Sequence, residues 1–405
     1  MKNHPFGRLL AILALLALIA TACGDADAVV EAASETIEEV VEPDDAPVEE
    51  DSAEDPTAEQ NSESVEDSTG CFDDPGFDLV NLDTDADLSG TTITLATHDS
   101  FLLSEGTLEA FTEETGIIVE QVAVGDAGQL VSQAVLTKDN PTADVLFGID
   151  NAFLCRGLLE NIFLPYETPA LDVVPDELEL DPINRVTPIN FGDVCINYWT
   201  DSLPGDVPAT LDDLIDPANA GQFVTMNPET SSPGFAFLLA TIAEYGEDGW
   251  EDYWRSLVEN DVVVTAGWSD GYYGDFIAGG GERAIVTSYA SSPPAELIFA
   301  DPPVDAPPTA VLQDSCFRQI EFAGILLGSQ NPAAAARLID FMLSPTYQED
   351  IPLNMFVYPA NNEAALPAEF IEWGPLVDDA LTIDPEMIEA NRDDWTERWN
   401  AIVAG

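Results

Sequence analysis

Residues 262–293, VVVTAGWSDGYYGDFIAGGGERAIVTSYASSP, concentrate side chains able to recognise a flat ligand. Trp268 follows Gly267 where an apolar β-branched run stops, and Tyr272, Tyr273 and Phe276 come within the next two turns. A second apolar run ends in Ser288 and Tyr289, before a Ser-Ser-Pro-Pro turn. Strand, aromatic loop, helix and strand make a βαβ unit, and such units hold ligands where strands end and helices begin. An indole at that place can offer its face to a ring, above all a charged one. Phe276 reads as ordinary core, and Ser269 is expected to cap the helix. The chemistry is that of binding rather than turnover. No G-x-S-x-G elbow, H-E-x-x-H, P-loop or Cys-x-x-Cys occurs. His98, the only histidine besides His4, has no nucleophile placed beside it by the sequence.

The elements that must position these residues read as α/β. TTITLA at 91–96 is a first strand, followed by the loop THDSF with His98. Thr107 is expected to cap the helix LEAFTEET, which Gly116 stops. IIVEQVAV runs into Gly125, Asp126, Ala127 and Gly128, and a helix with apolar positions at 130, 131, 134 and 135 follows. ADVLFGID is a nearly continuous apolar run, as in a parallel strand covered on both faces. A long extended segment, VTPINFGDVCINYW, leads to a second α/β series. Asn227 to Gly234, ending TSSPG, opens its helix FAFLLATIAEYG. Trp250, Tyr253, Trp254 and Leu257 share one helical face and read as core. A second extended run, CFRQIEFAGILLG at 316–328, returns the chain, and a last helix carries Trp395, Trp399 and Ile402 as a stripe. Two α/β series joined by two extended crossovers predict two lobes with a ligand between them.

Charge and cysteines bound the setting. The net charge is −66, and the only lysines are Lys2 and Lys138. Phosphate backbones would be repelled, so nucleic acid is excluded as a partner. A small cation would be attracted, although solubility in a salty habitat accounts for most of the charge. Residues 1–22 read as a signal peptide, with Lys2 and Arg8 before LLAILALLALIATA. Cys23 after ATA resembles a bacterial lipoprotein cleavage site, so a lipid anchor is expected there. Residues 23–70 are acidic, without a basic or aromatic residue, and are expected to form a disordered tether. An exported cell-envelope lipoprotein, in the periplasm or on the outer face of the cytoplasmic membrane, follows. Export makes Cys71, Cys155, Cys195 and Cys316 disulfide candidates. They allow three pairings, and sequence does not choose among them. The crossovers make Cys195–Cys316 the pair to expect, leaving Cys71 with Cys155.

The segments THDSF, AVGDAG, ADVLFGIDN, NPETSSPGFAFLL, VTAGWSDGYYGDF, SYASSP and RLIDFMLSPTYQEDIPLNMFVYP occur in an order and spacing similar to those of the periplasmic thiamine-binding proteins of ABC importers. The resemblance covers about residues 90–403, and GWS-x-x-Y, TSSPG and SYASSP are its specific parts. It implies the type II solute-binding fold: two α/β lobes joined by hinge strands and closing over one ligand. Lobe 1 is expected at 71–190 and again, with the C-terminal helices, at 317–405; lobe 2 is expected at 191–316. Carried over, the binding residues are His98 (tyrosine in relatives), Asp126, Ser231, Trp268, Tyr289 and Phe356 (tryptophan in relatives). Ala295 stands where relatives place another aromatic. The resemblance further implies thiamine or its phosphate esters as ligand, an ABC permease as partner, a monomer, and no metal or cofactor.

Such a ligand has a charged thiazolium, which suits an aromatic face. Its exocyclic amine suits a carboxylate such as Asp126, and its hydroxyl or phosphate tail suits Ser231 beside a helix start. The plainer role for both Asp126 and Ser231 is a helix cap. Ferric-ion binding on the same fold is the nearest alternative, through Tyr272, Tyr273 and His98. Adjacent helical side chains point about 100° apart, however, so only one tyrosine would face a cleft.

Overall fold

The computed structural model describes residues 70–77, 82–280 and 282–405. Cys23, the expected signal peptide and all of the acidic segment except Gly70 lie outside the described residues. The first lobe begins with β1 (Thr92–Thr97), α1 (Thr107–Thr115), β2 (Ile118–Ala123), α2 (Ala127–Leu136), β3 (Val145–Asp150) and α3 (Leu154–Leu159). β1 pairs in parallel with β2 and β3, and every residue of β3 is buried, as its apolar run predicts. Gly116 ends α1 in the left-handed conformation. Thr107 is not its cap: Gly106 takes that position, and the Thr107 hydroxyl donates instead to Asp350 Oδ2 at 2.9 Å.

β4 (Phe163–Leu164) and the long β5 (Thr187–Trp199) lead to the second lobe. There β6 (Phe223–Met226), α4 (Ser232–Tyr245), α5 (Trp250–Glu259), β7 (Val263–Thr265), a π-helix (Asp270–Ile277), β8 (Ile285–Tyr289) and α6 (Ser292–Ile298) follow. β9 (Thr309–Leu326) returns to the first lobe. The remainder is α7 (Pro332–Met342), α8 (Pro345–Gln348), α9 (Ile351–Asn354), β10 (Tyr358–Pro359), α10 (Ala368–Trp373) and α11 (Pro385–Val403). The strand order β2-β1-β3-β9-β5-β8-β6-β7 places β5 and β9 at the centre, antiparallel to one another. β9 also pairs with β3, and β5 with β8, and residues 190 and 316 lie on these two long strands.

The β5–β9 register shifts between Val194 and Ile196, whose partners jump from Phe317 to Leu312. A break in register bends a strand pair. Cys195 and Cys316 form a disulfide at the break, with Cα atoms 4.1 Å apart, and Cys71 bonds Cys155. Trp250, Tyr253, Trp254 and Leu257 are all core, as their spacing predicts. α11 seats Trp399 against Trp254 of α5, ring centroids 5.4 Å apart, and carries Arg392 over Phe153 and Phe235, one from each lobe. Among the described residues no helix is long and apolar enough to cross a membrane.

Candidate ligand-binding cleft

Trp268 sits where β7 gives way to helix. The helix is unusual. The N–H of Ala278 bonds the carbonyl of Tyr273, an i→i+5 pattern, so 270–277 is π-helical. Tyr272, four residues on, stacks on Trp268, ring centroids 4.8 Å apart at 12°. The indole N–H donates to Ser288 Oγ at 3.1 Å, which fixes the ring plane. Ser269 does not cap this helix; its hydroxyl meets that of Ser100, on the other lobe, at 2.9 Å.

Asp126 faces Trp268 from the first lobe. Its Oδ1 accepts from Ala127 N at 2.7 Å, capping α2, and its Oδ2 accepts from Trp268 N at 3.2 Å. The carboxylate is therefore both a cap and a bridge across the cleft, with lone pairs to spare for another donor. Burial raises its pKa, partly offset by the Ala127 N–H and by His98. The approach of the lobes depends on Gly128, whose N–H donates to Thr230 O at 3.2 Å. A Cβ there would stand 2.6 Å from Glu229 O, inside contact distance.

His98, after β1, packs its ring against Phe147 and directs Nε2 toward Glu321 Oε1 at 3.3 Å. The approach lacks hydrogen-bond alignment and acts as a charge contact. Burial opposes the imidazolium, but Glu321, with Asp126 and Asp99 behind it, carries its pKa above the usual histidine value. Gly148 makes room: with φ +106°, it lies where a Cβ would be 2.4 Å from His98 Cδ2.

Ser231 precedes α4 but makes no capping bond with its side chain. Its hydroxyl is fully buried and without a hydrogen-bond partner, close to Asp126 but not aligned with it. An unpaired buried hydroxyl is costly, so this atom is poised for a group not supplied by the protein. Tyr289, at the end of β8, approaches Trp268 edge-on at 6.2 Å and donates its hydroxyl to Gln319 Oε1 at 3.3 Å. Phe356, in the left-handed region at φ 57°, belongs to the same apolar cluster as Trp268, with Ala295 beside it and Phe299 centred 6.0 Å away. These contacts bring the six expected residues near one another, with Asp126 touching Trp268 and lying near His98 and Ser231, and Trp268 clustered with Tyr289 and Phe356.

Sequence reasoning did not single out Asp150 and Glu321. They are opposed on β3 and β9 beneath His98, buried at 1% and 7% exposure. Burial first, and the Glu321 charge second, push Asp150 up to about 7. The aspartate in ADVLFGID was the available signal. The adjacent tyrosines do diverge: Tyr272 is fully buried and donates to Glu296 Oε1 at 2.9 Å, while Tyr273 is 45% exposed. Among the described residues no group of three or more His, Cys, Asp or Glu side chains is arranged to hold a metal ion.

The chain is similar to known proteins over most of this structure. It is 29% identical over 319 residues to the thiamine-binding periplasmic protein of Escherichia coli, covering 77% of this chain and 93% of that one. It is also similar to a solved periplasmic thiamin-binding protein, with a TM-score of 0.69, 28% identity, and coverage of 77% and 96%. A ferric-binding protein from Campylobacter jejuni shares the fold at a TM-score of 0.63 and 18% identity, covering 76% of this chain and 99% of that one. The fold is accordingly that of the two-lobed type II binding proteins. The pattern of the family described as Bacterial extracellular solute-binding protein matches residues 140–376, more than half of the chain, and the chain belongs to that family.

Proposed function

We propose that this protein is the extracytoplasmic binding component of an ABC importer, capturing thiamine or its phosphate esters between the lobes and delivering it to a membrane permease. The observation that carries the reading is the pairing of Trp268 with Asp126 across the cleft. Tyr272 backs one face of the indole, leaving the opposite face for a flat cation. Asp126 is an acceptor for the aminopyrimidine amine, and Tyr289 and Phe356 wall the ring. Relatives at 28–29% identity that carry thiamine in their names support the choice of ligand. Ferric ion is disfavoured by the buried, Glu296-bound Tyr272. In this reading the protein binds and releases without turnover, as a monomer.

The lobes divide at 71–190, 191–316 and 317–405, with β5 and β9 as hinge. A diacylglyceryl anchor on Cys23 and a tether over residues 24–70 would hold the folded part at the membrane, where the permease is. Intact mass of membrane-extracted protein tests the anchor; a soluble form with unmodified Cys23 contradicts it. Mass spectrometry of ligand released from freshly purified protein tests the function. Thiamine or an ester of it is expected, and a different small molecule in stoichiometric amount would overturn the reading.

A further inference from the structure

Between α10 and α11 the chain runs past the β5–β9 register break without forming a helix or a strand of its own. It is nevertheless bonded there at several points. Leu381 N donates to Cys316 O at 2.7 Å, and Leu381 O accepts from Arg318 N at 3.0 Å, which makes an isolated parallel bridge with Phe317 of β9. Val377 N donates to Asp193 Oδ2 of β5 at 3.3 Å, and Val377 O accepts from the Arg318 guanidinium at 2.9 Å. The same guanidinium donates to Asp193 Oδ1, and the Asp193 side chain is 1% exposed. The Val377 side chain packs on the cluster that contains the Cys195–Cys316 disulfide. Both ends of the segment are fastened. Upstream, α10 packs on α6, and a Cβ at Gly374 would collide with Tyr358 Oη. Downstream, α11 packs on α3 and α5 and lays Arg392 over Phe153 and Phe235.

A segment that merely covered the edge of β9 would need only backbone pairing with that strand. The β3–β9 ladder ends at Glu321, and Leu381 does take up the edge beyond it. The Arg318 fork adds a tie to the second strand, because it grips the buried Asp193 carboxylate of β5 and the Val377 carbonyl together. A single ammonium does not reproduce that planar, two-sided grip. Bending β5 and β9 at their register break displaces these anchor points against one another. A segment held to both strands at the break, and fixed at both ends, therefore resists the bend. Resting on the reading of β5 and β9 as hinge, we infer that residues 375–383 form a strap across that hinge, clasped by Asp193 and Arg318, which limits how far the lobes part before ligand arrives.

The test is single-molecule energy transfer on the full chain, between dyes coupled to azide-bearing residues introduced at Glu113 of α1 and Glu259 of α5, both exposed. This labelling leaves every cysteine untouched. The wild type without ligand is expected to give one narrow distribution, which thiamine shifts. Arg318→Ala should at least double the width of the ligand-free distribution and leave the thiamine-bound one in place. Thiamine affinity should fall at least threefold, because the binding-competent arrangement becomes a smaller share of the population. Leu381→Pro, which removes the N–H bonded to Cys316 O, should act in the same way and serves if Arg318→Ala does not fold. Arg185→Ala breaks another buried ion pair, with Asp181, and should lower stability without widening the distribution. A ligand-free distribution as narrow as wild type in the folded strap variants, or one widened equally by Arg185→Ala, overturns the inference. A wild-type distribution that bound thiamine leaves unchanged would instead bring down the hinge reading on which it rests.

Discussion

The two lobes are joined in two different ways. In the cleft they meet through single polar contacts: Asp126 with Trp268 N, Gly128 N with Thr230 O, Ser100 with Ser269, and Asp150 with Ser232. The second connection is covalent and apolar. β5 and β9 pair along their length, Cys195–Cys316 fixes the point where their register breaks, and α11 lays Arg392 across Phe153 and Phe235. Hydrogen bonds that water can replace contribute only about 0.5–1.5 kcal/mol each. Separating the second connection would expose packed aromatic surface. The contrast is what a hinge requires: one edge that parts at little cost and another that bends without parting.

Removing the Cys195–Cys316 staple should have the largest effect. The double variant Cys195→Ser, Cys316→Ser closes no loop across its 121-residue separation. It is expected to lose about 2–5 kcal/mol of unfolding free energy in a denaturant titration. Ligand affinity of the folded fraction should change less than threefold. A large loss of affinity with unchanged stability would reverse the roles given to the two connections. Trp268→Ala acts on the cleft and should weaken thiamine binding at least tenfold, about 1.4 kcal/mol. Trp268→Phe should recover part of the loss, and equal affinities for the three proteins would remove the indole from the site.

Gly128→Ala probes closure without touching the aromatic floor. Its Cβ would press on Glu229 O, and overpacking of this kind costs about 1–3 kcal/mol. We expect affinity to fall about tenfold while a denaturant midpoint measured without ligand moves little. Unchanged affinity would show that the lobes need not approach this closely. The smallest effect expected is in pH. Because the folded pKa of Asp150 is raised to about 7, its contribution to stability is present below the ordinary carboxylate range and is lost as pH rises through 7. Affinity for a cation should run the other way, rising severalfold from pH 6 to 8 as Asp150 ionises. Parallel slopes for stability and binding would contradict this.

The fold was largely readable because its signals are local. The β3 run, the two extended crossovers and the helical stripe of Trp250, Tyr253, Trp254 and Leu257 each follow from short-range periodicity. The crossovers also made Cys195–Cys316 the pair to expect. The expectation that Trp268 binds ligand rested on its place at a strand end together with the family resemblance. The misses depend on contacts far apart in sequence. Ser269 looks like a cap, but it meets Ser100 169 positions away. Thr107 looks like another, yet Asp350 takes its hydroxyl across 243 positions. Asp150 and Glu321 become a buried pair only through the β3–β9 register, which no local pattern fixes. The π-helix is also invisible to a 3.6-residue period.

The central claim is that Asp126 and Trp268 recognise one ligand from opposite lobes, and Asp126→Asn tests it most directly. Wild type and variant would be titrated calorimetrically with thiamine and with the analogue in which oxygen replaces the exocyclic amine, at two salt concentrations to separate contact from general attraction to an acidic surface. The account predicts that the variant binds thiamine at least tenfold more weakly and discriminates less between the two compounds. A carboxylate that only caps α2 would lower stability and leave that discrimination unchanged, and this result would contradict the account.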